Sequence, residues 1–144
     1  MTPFSIKTIA LAAFAALALA SPVCAAGAIA VGQTTNVAKD GVAIGWATGS
    51  VDKGRAESVA KQKCLDFKDA PQKTRDLCRI ITTFENQCIA ISLDPKAGTP
   101  GYGYAIRSTL ADARSEAMER CRSTAGNRAQ YCVDSDSSCD GNAK

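Results

Sequence analysis

The side chains able to do chemistry in this 144-residue chain are its cysteines and carboxylates, because histidine is absent. Without imidazole there is no Ser/His/Asp or Cys/His nucleophilic system and no ordinary catalytic zinc site. The seven cysteines contain no Cys-x-x-Cys pair, which argues against a disulfide oxidoreductase. Acid–base work would fall to Glu85 with one of Asp94, Asp134 or Asp136. For Glu85 a solvated turn is the preferred reading.

Three further patterns bear on ligand chemistry. The run 134–142, DSDSSCDGN, has a partial likeness to a calcium loop, but Cys139 stands at the sixth position, where glycine is needed, and position twelve lies past Lys144. A solvated tail is the preferred reading. The segment 98–103, GTPGYG, lacks the Lys-Ser or Lys-Thr of a phosphate loop and reads as a turn into a strand. Trp46, Tyr102 and Tyr104 could stack on a sugar or an aromatic ligand, yet at strand spacing bulky residues are usually core. No cofactor and no metal are expected.

What must position these residues begins with an export leader. Residues 1–26 carry Lys7, an apolar run over 9–20, then Ser21, Pro22 and small residues, the proportions of a secretory signal peptide. The run is too short to span a bilayer, which needs about twenty residues. Pro22 and Val23 are poor neighbours for a lipidated cysteine, so Cys24 is expected to leave with the leader. Six cysteines then remain, an even number that in a small exported chain reads as three disulfides. Removing 26 of 144 residues leaves 118, the length of one domain. The 17 basic and 14 acidic residues are scattered, and losing Lys7 leaves a net charge of +2. No nucleic-acid partner and no stable membrane insertion are expected.

Residues 27–32, GAIAVG, are a short strand candidate. Residues 41–48 alternate Val42, Ile44 and Trp46 with Ala43, Gly45 and Ala47, a strand with one bulky and one smooth face. A helix follows to Phe67, with Ala56, Ala60 and Cys64 on one side. The run 78–91, CRIITTFENQCIAI, reads as a central hairpin whose strands each begin with a cysteine, interrupted by Glu85 and Asn86. Sixty positions past the first strand, Tyr102, Tyr104 and Ile106 alternate with Gly103 and Ala105. A second helix follows, with Ser108 or Thr109 as N-cap, Ala113, Ala117 and Cys121 along one face, and Gly126 at its end. The chain therefore reads as two internal repeats, about 41–93 and 101–139, within one domain over 27–144.

This pattern of GAIAVG, the strand and helix ending at Cys64, the 78–91 stretch and the GYGYAIRS strand with its helix to Cys121 resembles a family of secreted bacterial proteins known as domain of unknown function 4189. The resemblance implies export, disulfides and a compact α/β module, and it supplies no catalytic residues. Against the usual pattern, the stretch between Cys64 and Cys78 is longer and more basic, and the end is rich in Ser and Asp.

The fold expected is α/β of the α+β type: a two-layer module with two helices on an antiparallel or mixed sheet, stapled by three disulfides. Six cysteines allow fifteen connectivities. The duplication favours Cys64–Cys78 and Cys121–Cys132 as equivalent local bridges, leaving Cys88 and Cys139 to join the copies. If the bulky strand faces pack on the alanine stripes of the helices, the smooth face of Ala43, Gly45, Ala47, Gly103, Ala105 and Arg107 is left for a partner protein. The basic linker 68–75 is the next candidate. The function expected is a non-catalytic exported module, secreted or periplasmic, that binds another protein, as an inhibitor, an immunity-like protein or a secreted factor does. The alternative is a carboxylate-based hydrolase acting on cell-wall sugar.

Overall fold

A computed structural model describes residues 25–96 and 98–144. Residues 1–24 of the expected leader, Cys24 among them, lie outside the described residues, while Ala26, its expected last residue, is buried at the start of the first strand. The elements run β1 (Ala26–Gln33), α1 (Val37–Asp40), β2 (Val42–Ser50), α2 (Lys53–Leu65), α3 (Gln72–Arg75), β3 (Arg79–Phe84), β4 (Cys88–Leu93), β5 (Tyr102–Arg107), α4 (Leu110–Thr124), a 3-10 helix (Gly126–Tyr131) and β6 (Val133–Cys139). All strand pairs are antiparallel. They form two three-stranded sheets, ordered β2-β1-β3 and β5-β4-β6. In each, the strand that comes first in sequence lies in the middle.

Period-two alternation sorts the side chains of the central strands. On β1, Ala28 and Ala30 face one way and Ile29 and Val31 the other. The small set joins Ala43, Ala47, Ala56, Ala60 and Cys64 in a core between sheet and α2. In the second sheet, Cys88, Ala90 and Ala105 pack on Ala113 and Ala117 of α4 in the same way. The bulky set of both sheets meets in one cluster: Ile29, Val31, Ile44, Phe84, Ile89 and Ile91, with Val42, Trp46, Tyr102, Tyr104 and Ile106 partly buried around it. The layers therefore run helix, sheet, sheet, helix.

The mixed α/β class, the antiparallel pairing and the two long helices are as expected; the layers number four rather than two, and the reason is the depth of each gap. Sheets stack about 10 Å apart and need large side chains to fill the space, whereas the helices here lie almost on the sheet backbone. A Cβ placed on Gly45 would sit 2.3 Å from the Ala60 carbonyl oxygen and 2.3 Å from the Cys64 nitrogen. One on Gly103 would sit 2.4 Å from the Ala117 oxygen and 2.6 Å from the Cys121 nitrogen. Only small residues permit that approach.

The 78–91 stretch is also corrected: it is no hairpin. β3 pairs with β1, while β4 pairs with β5 and β6. Glu85 to Gln87 carry the chain from one sheet to the other, and Asn86 takes a left-handed φ of 51° there. The crossover is held by Asp140, whose carboxylate accepts the Gly49 N–H at 2.6 Å and the Asn86 N–H at 3.4 Å. The Asp140 N–H donates to the Gln87 carbonyl at 2.8 Å. Asp140 is fully buried, so 134–142 is not a solvated tail but an edge strand and a lock.

The helix ends follow local chemistry. The Asp52 carboxylate accepts the Arg55 N–H at 2.7 Å to start α2, and the Thr109 hydroxyl accepts the Asp112 N–H at 3.2 Å to start α4. Gly126, at φ 59°, turns the chain just past α4. The expected cysteine pairing is the one present: Cys64–Cys78 and Cys121–Cys132, with Cα separations of 6.0 and 6.1 Å, and Cys88–Cys139. The first two tie a helix to the residue before an edge strand. The third joins the two repeats read from the sequence, as expected, and does so within one sheet, between β4 and β6. Among the described residues no helix is long and apolar enough to cross a membrane.

Candidate functional site

The smooth face proposed for a partner is covered by the protein's own helices. Ala43, Ala47 and Ala105 are buried beneath α2 and α4, as are Gly45 and Gly103. Of that set Arg107 alone is exposed, and its guanidinium is bound to Glu116. Tertiary packing thus turns an apparently flat surface into the helix–sheet interface. The basic linker is likewise engaged in the fold. The Lys73 ammonium donates to Asp40 at 2.5 Å, the buried Thr74 hydroxyl donates to the Asp40 carbonyl at 2.8 Å, and Arg75 reaches the Leu65 carbonyl at 3.3 Å.

The candidate carboxylates do not converge. Glu85 is exposed on the crossover. Asp134 pairs with Arg114 at 3.2 Å on the outer strand β6, and Asp136 accepts the N–H of its neighbour Ser137. Asp94 lies in the turn after β4, where Arg128 donates to its two oxygens at 2.5 and 3.0 Å. The Arg128 bonds, outweighing burial, hold the Asp94 carboxyl at about 2, well below its usual range. Asp40, in the turn before β2, is lowered too, chiefly by the bond from Lys73 and then by that from Thr34. A general acid at neutral pH needs a raised pKa, and these two groups are shifted the other way. Among the described residues no three His, Cys, Asp or Glu side chains gather in a metal-binding group. The calcium-like acids accordingly serve the strand and the crossover.

A concave site lies instead between edge strands of the two sheets. β1 and β3 form one wall and β5 the other. Between them is a groove of about 380 Å3, lined by Val31, Gln33, Leu77, Arg79, Ile81, Tyr102 and Tyr104, with Thr34 and Thr35 at its end. Tyr102 and Tyr104, two apart on β5, project on the same side. The Tyr102 hydroxyl donates to the Gln33 side-chain oxygen and bridges the two sheets. Burial, with Tyr104 adding to it, raises the Tyr102 pKa, so this phenol remains a neutral donor. Arg79 forms no ion pair among the described residues. Leu77 and Ile81 stay 49% and 40% exposed, two of the few large apolar side chains left open to water.

The suggested aromatic platform is therefore split. Tyr102 and Tyr104 reach the groove, while Trp46 on β2 is outside it and carries the Lys63 ammonium 5.6 Å from its ring. Gln33, Leu77, Arg79 and Ile81 escaped the sequence reading. Ile80 and Ile81 are adjacent, so periodicity does not say which one turns inward, and the strand order that brings β3 opposite β5 is a long-range fact.

Compared with known proteins, the family model described as Domain of unknown function (DUF4189) matches residues 26–139. No curated protein and no solved structure matches the chain.

Proposed function

Since the chain belongs to the DUF4189 family, whose description names no activity, we propose a function from its geometry: a non-catalytic binding protein of an oxidising compartment outside the cytoplasm, with the inter-sheet groove as its binding surface. The observation that carries this reading is the groove itself, where two tyrosines, an unpaired arginine and two exposed aliphatic side chains line one concavity. Such a mixture is characteristic of binding sites, in which aromatic and apolar area is combined with a few placed polar groups. Export is supported by the leader-like first 26 residues and by three disulfides, which persist only where thiols are not kept reduced. The hydrolase alternative has no gathered carboxylates to support it.

The test is capture from periplasmic and culture-medium extracts by the oxidised protein. The Arg79→Gln, Tyr104→Ala double variant, shown to be folded by thermal unfolding, should lose whatever ligand or partner the unaltered protein retains. A Glu85→Gln, Asp134→Asn, Asp136→Asn triple variant should keep it; Asp94 is left intact because it holds Arg128. The reverse outcome would remove the groove from consideration and favour carboxylate chemistry.

A further inference from the structure

We infer that the groove between the sheets takes a small ligand in which a ring carries a carboxylate, an inference that rests on the groove being the binding surface. The reason is the balance of charge and of hydrogen-bonding capacity along its walls. Of the residues lining it, Arg79 alone is charged, and no acid faces it. Six of the sixteen described Lys and Arg side chains are in ion pairs, among them Lys73 with Asp40, Arg114 with Asp134 and Arg128 with Asp94; what sets Arg79 apart is that it is an unpaired cation inside a concavity. Arg79 is left with five donors in a planar fork, a shape that fits a carboxylate through two parallel bonds.

Two neighbouring groups offer donors that a carboxylate can use, the Gln33 amide and the Tyr104 hydroxyl. Gln33 spends its side-chain oxygen on the Tyr102 hydroxyl, which leaves its NH2 group to donate. The Thr34 hydroxyl is already given to Asp40 at 2.8 Å. The Tyr104 hydroxyl has no partner among the described residues. A carboxylate satisfies Arg79 and the Gln33 NH2 group together, whereas a cation is repelled by Arg79; the Tyr102 and Thr35 hydroxyl oxygens can still accept from hydroxyls elsewhere on the ligand.

Shape sets the remainder of the ligand. Val31, paired with Arg79 across β1 and β3 and only 6% exposed, supplies an apolar floor. Tyr102 and Tyr104 supply an aromatic wall; the Arg120 guanidinium lies 5.9 Å from the Tyr104 ring centroid, so a flat ring or an apolar sugar face packs against what the two rings leave open to the groove. The volume of about 380 Å3 lies near the lower end of small-ligand sites, roughly 300–1,000 Å3, which is room for one or two rings. An added strand, from a peptide or a second copy of this chain, is disfavoured at the adjacent edge. β1 pairs with Thr82 and then with Ile80, so Ile81 is a bulge that interrupts the ladder a partner strand would extend.

Two sources share this chemistry, aromatic acids and acidic sugars, and matched probe pairs separate them. Amide NMR spectra of the oxidised 15N-labelled protein would be titrated with benzoate against benzyl alcohol and with galacturonate against galactose. One carboxylate should saturate the Gln33, Arg79, Ile81 and Tyr104 signals, with its neutral partner at least about tenfold weaker, the usual margin of a charge-assisted bond. Arg79→Gln should remove that margin, and Arg79→Lys should restore part of it. Equal binding of acid and neutral probe at these signals would overturn the ligand class while leaving the groove as the site. Concentration-dependent shifts along β3 without any probe would overturn it in favour of a second copy. Silence of all four signals towards every probe would also overturn it; if the Arg79→Gln, Tyr104→Ala variant then still captured its partner from extracts, the groove reading would fall as well.

Discussion

At the scale of single residues, the protein depends on atoms that are missing and on charges that are paired. Gly45 and Gly103 owe their identity to helix backbone lying within 2.3 and 2.4 Å of where a side chain would begin. Gly45→Ala or Gly103→Ala should destabilise the oxidised protein by roughly 1–3 kcal/mol, the range of overpacked cores, as read from urea unfolding. Gly54→Ala is the control: its Cβ would meet only the capping Asp52 carboxylate, at 3.3 Å, and alanine is the better helix former, so a much smaller change is expected. The Asp94–Arg128 pair predicts a pH dependence. The folded-state pKa of Asp94, about 2, lies below the unfolded value of about 4. Its contribution is therefore complete above about pH 4 and is lost as pH falls towards 2. Thermal unfolding of Asp94→Asn should show a lower midpoint at neutral pH and a shallower decline through that acid window. Parallel curves for the two proteins would show that the pair does not stabilise the fold.

At the scale of elements, the decisive piece is the crossover between β3 and β4 and the segment that locks it. Asp140 is the residue where β2, the crossover and the end of β6 meet, through the amides of Gly49 and Asn86. The Asn142 N–H adds a bond to the Asn86 side chain at 3.1 Å, and the Leu110 N–H at the start of α4 donates to the Lys144 carbonyl at 2.9 Å. Asp140→Ala removes two bonds to a buried carboxylate and should cost about 1.5–3 kcal/mol. Hydrogen exchange should then speed up selectively at Gly49 and Asn86. Uniform exchange across both sheets would mean that the lock acts only through global stability. The crossover also explains why 78–91 misleads as a sequence. Two β-rich runs three residues apart have the composition of a hairpin, yet β3 finds its hydrogen bonds on β1 and β4 on β5 and β6. Register is decided by which central strand each run can reach, and composition carries no record of that.

At the scale of the whole molecule, two sheets share one interior and each carries its own helix and its own helix-to-strand disulfide. Cys64–Cys78 closes 14 residues and Cys121–Cys132 closes 11. In the chain-entropy account a loop of this size contributes about 3 kcal/mol. Replacing either pair by alanine should lower the unfolding free energy by that order in denaturant titrations, with far-UV dichroism retained at low temperature. Intact mass should show the six hydrogens missing that three bridges require, and a free thiol at Cys64 or Cys121 would contradict the pairing.

The boundary between what the sequence alone determined and what required the tertiary structure follows the range of the interactions. The positions of β1 to β5, α2 and α4, an N-cap at Ser108 or Thr109, the turn at Gly126 and the alternation of large and small residues are local and were legible; β6 was not, because its Ser and Asp residues have the composition of a solvated tail and only pairing with β4 makes it a strand. The disulfide partners were legible too, because Cys64 and Cys121 stand in matching places late in two similar helices. Which way the alternating faces point was not legible, since a smooth strand face suits an external partner and an internal helix equally well. Only the close approach of α2 and α4 chooses between them, and it buries Ala43, Gly45, Ala47, Gly103 and Ala105. The groove belongs to the same class of fact. Arg79 and Tyr104 are 25 positions apart on strands of different sheets, and they face one space because each sheet puts its first strand in the middle.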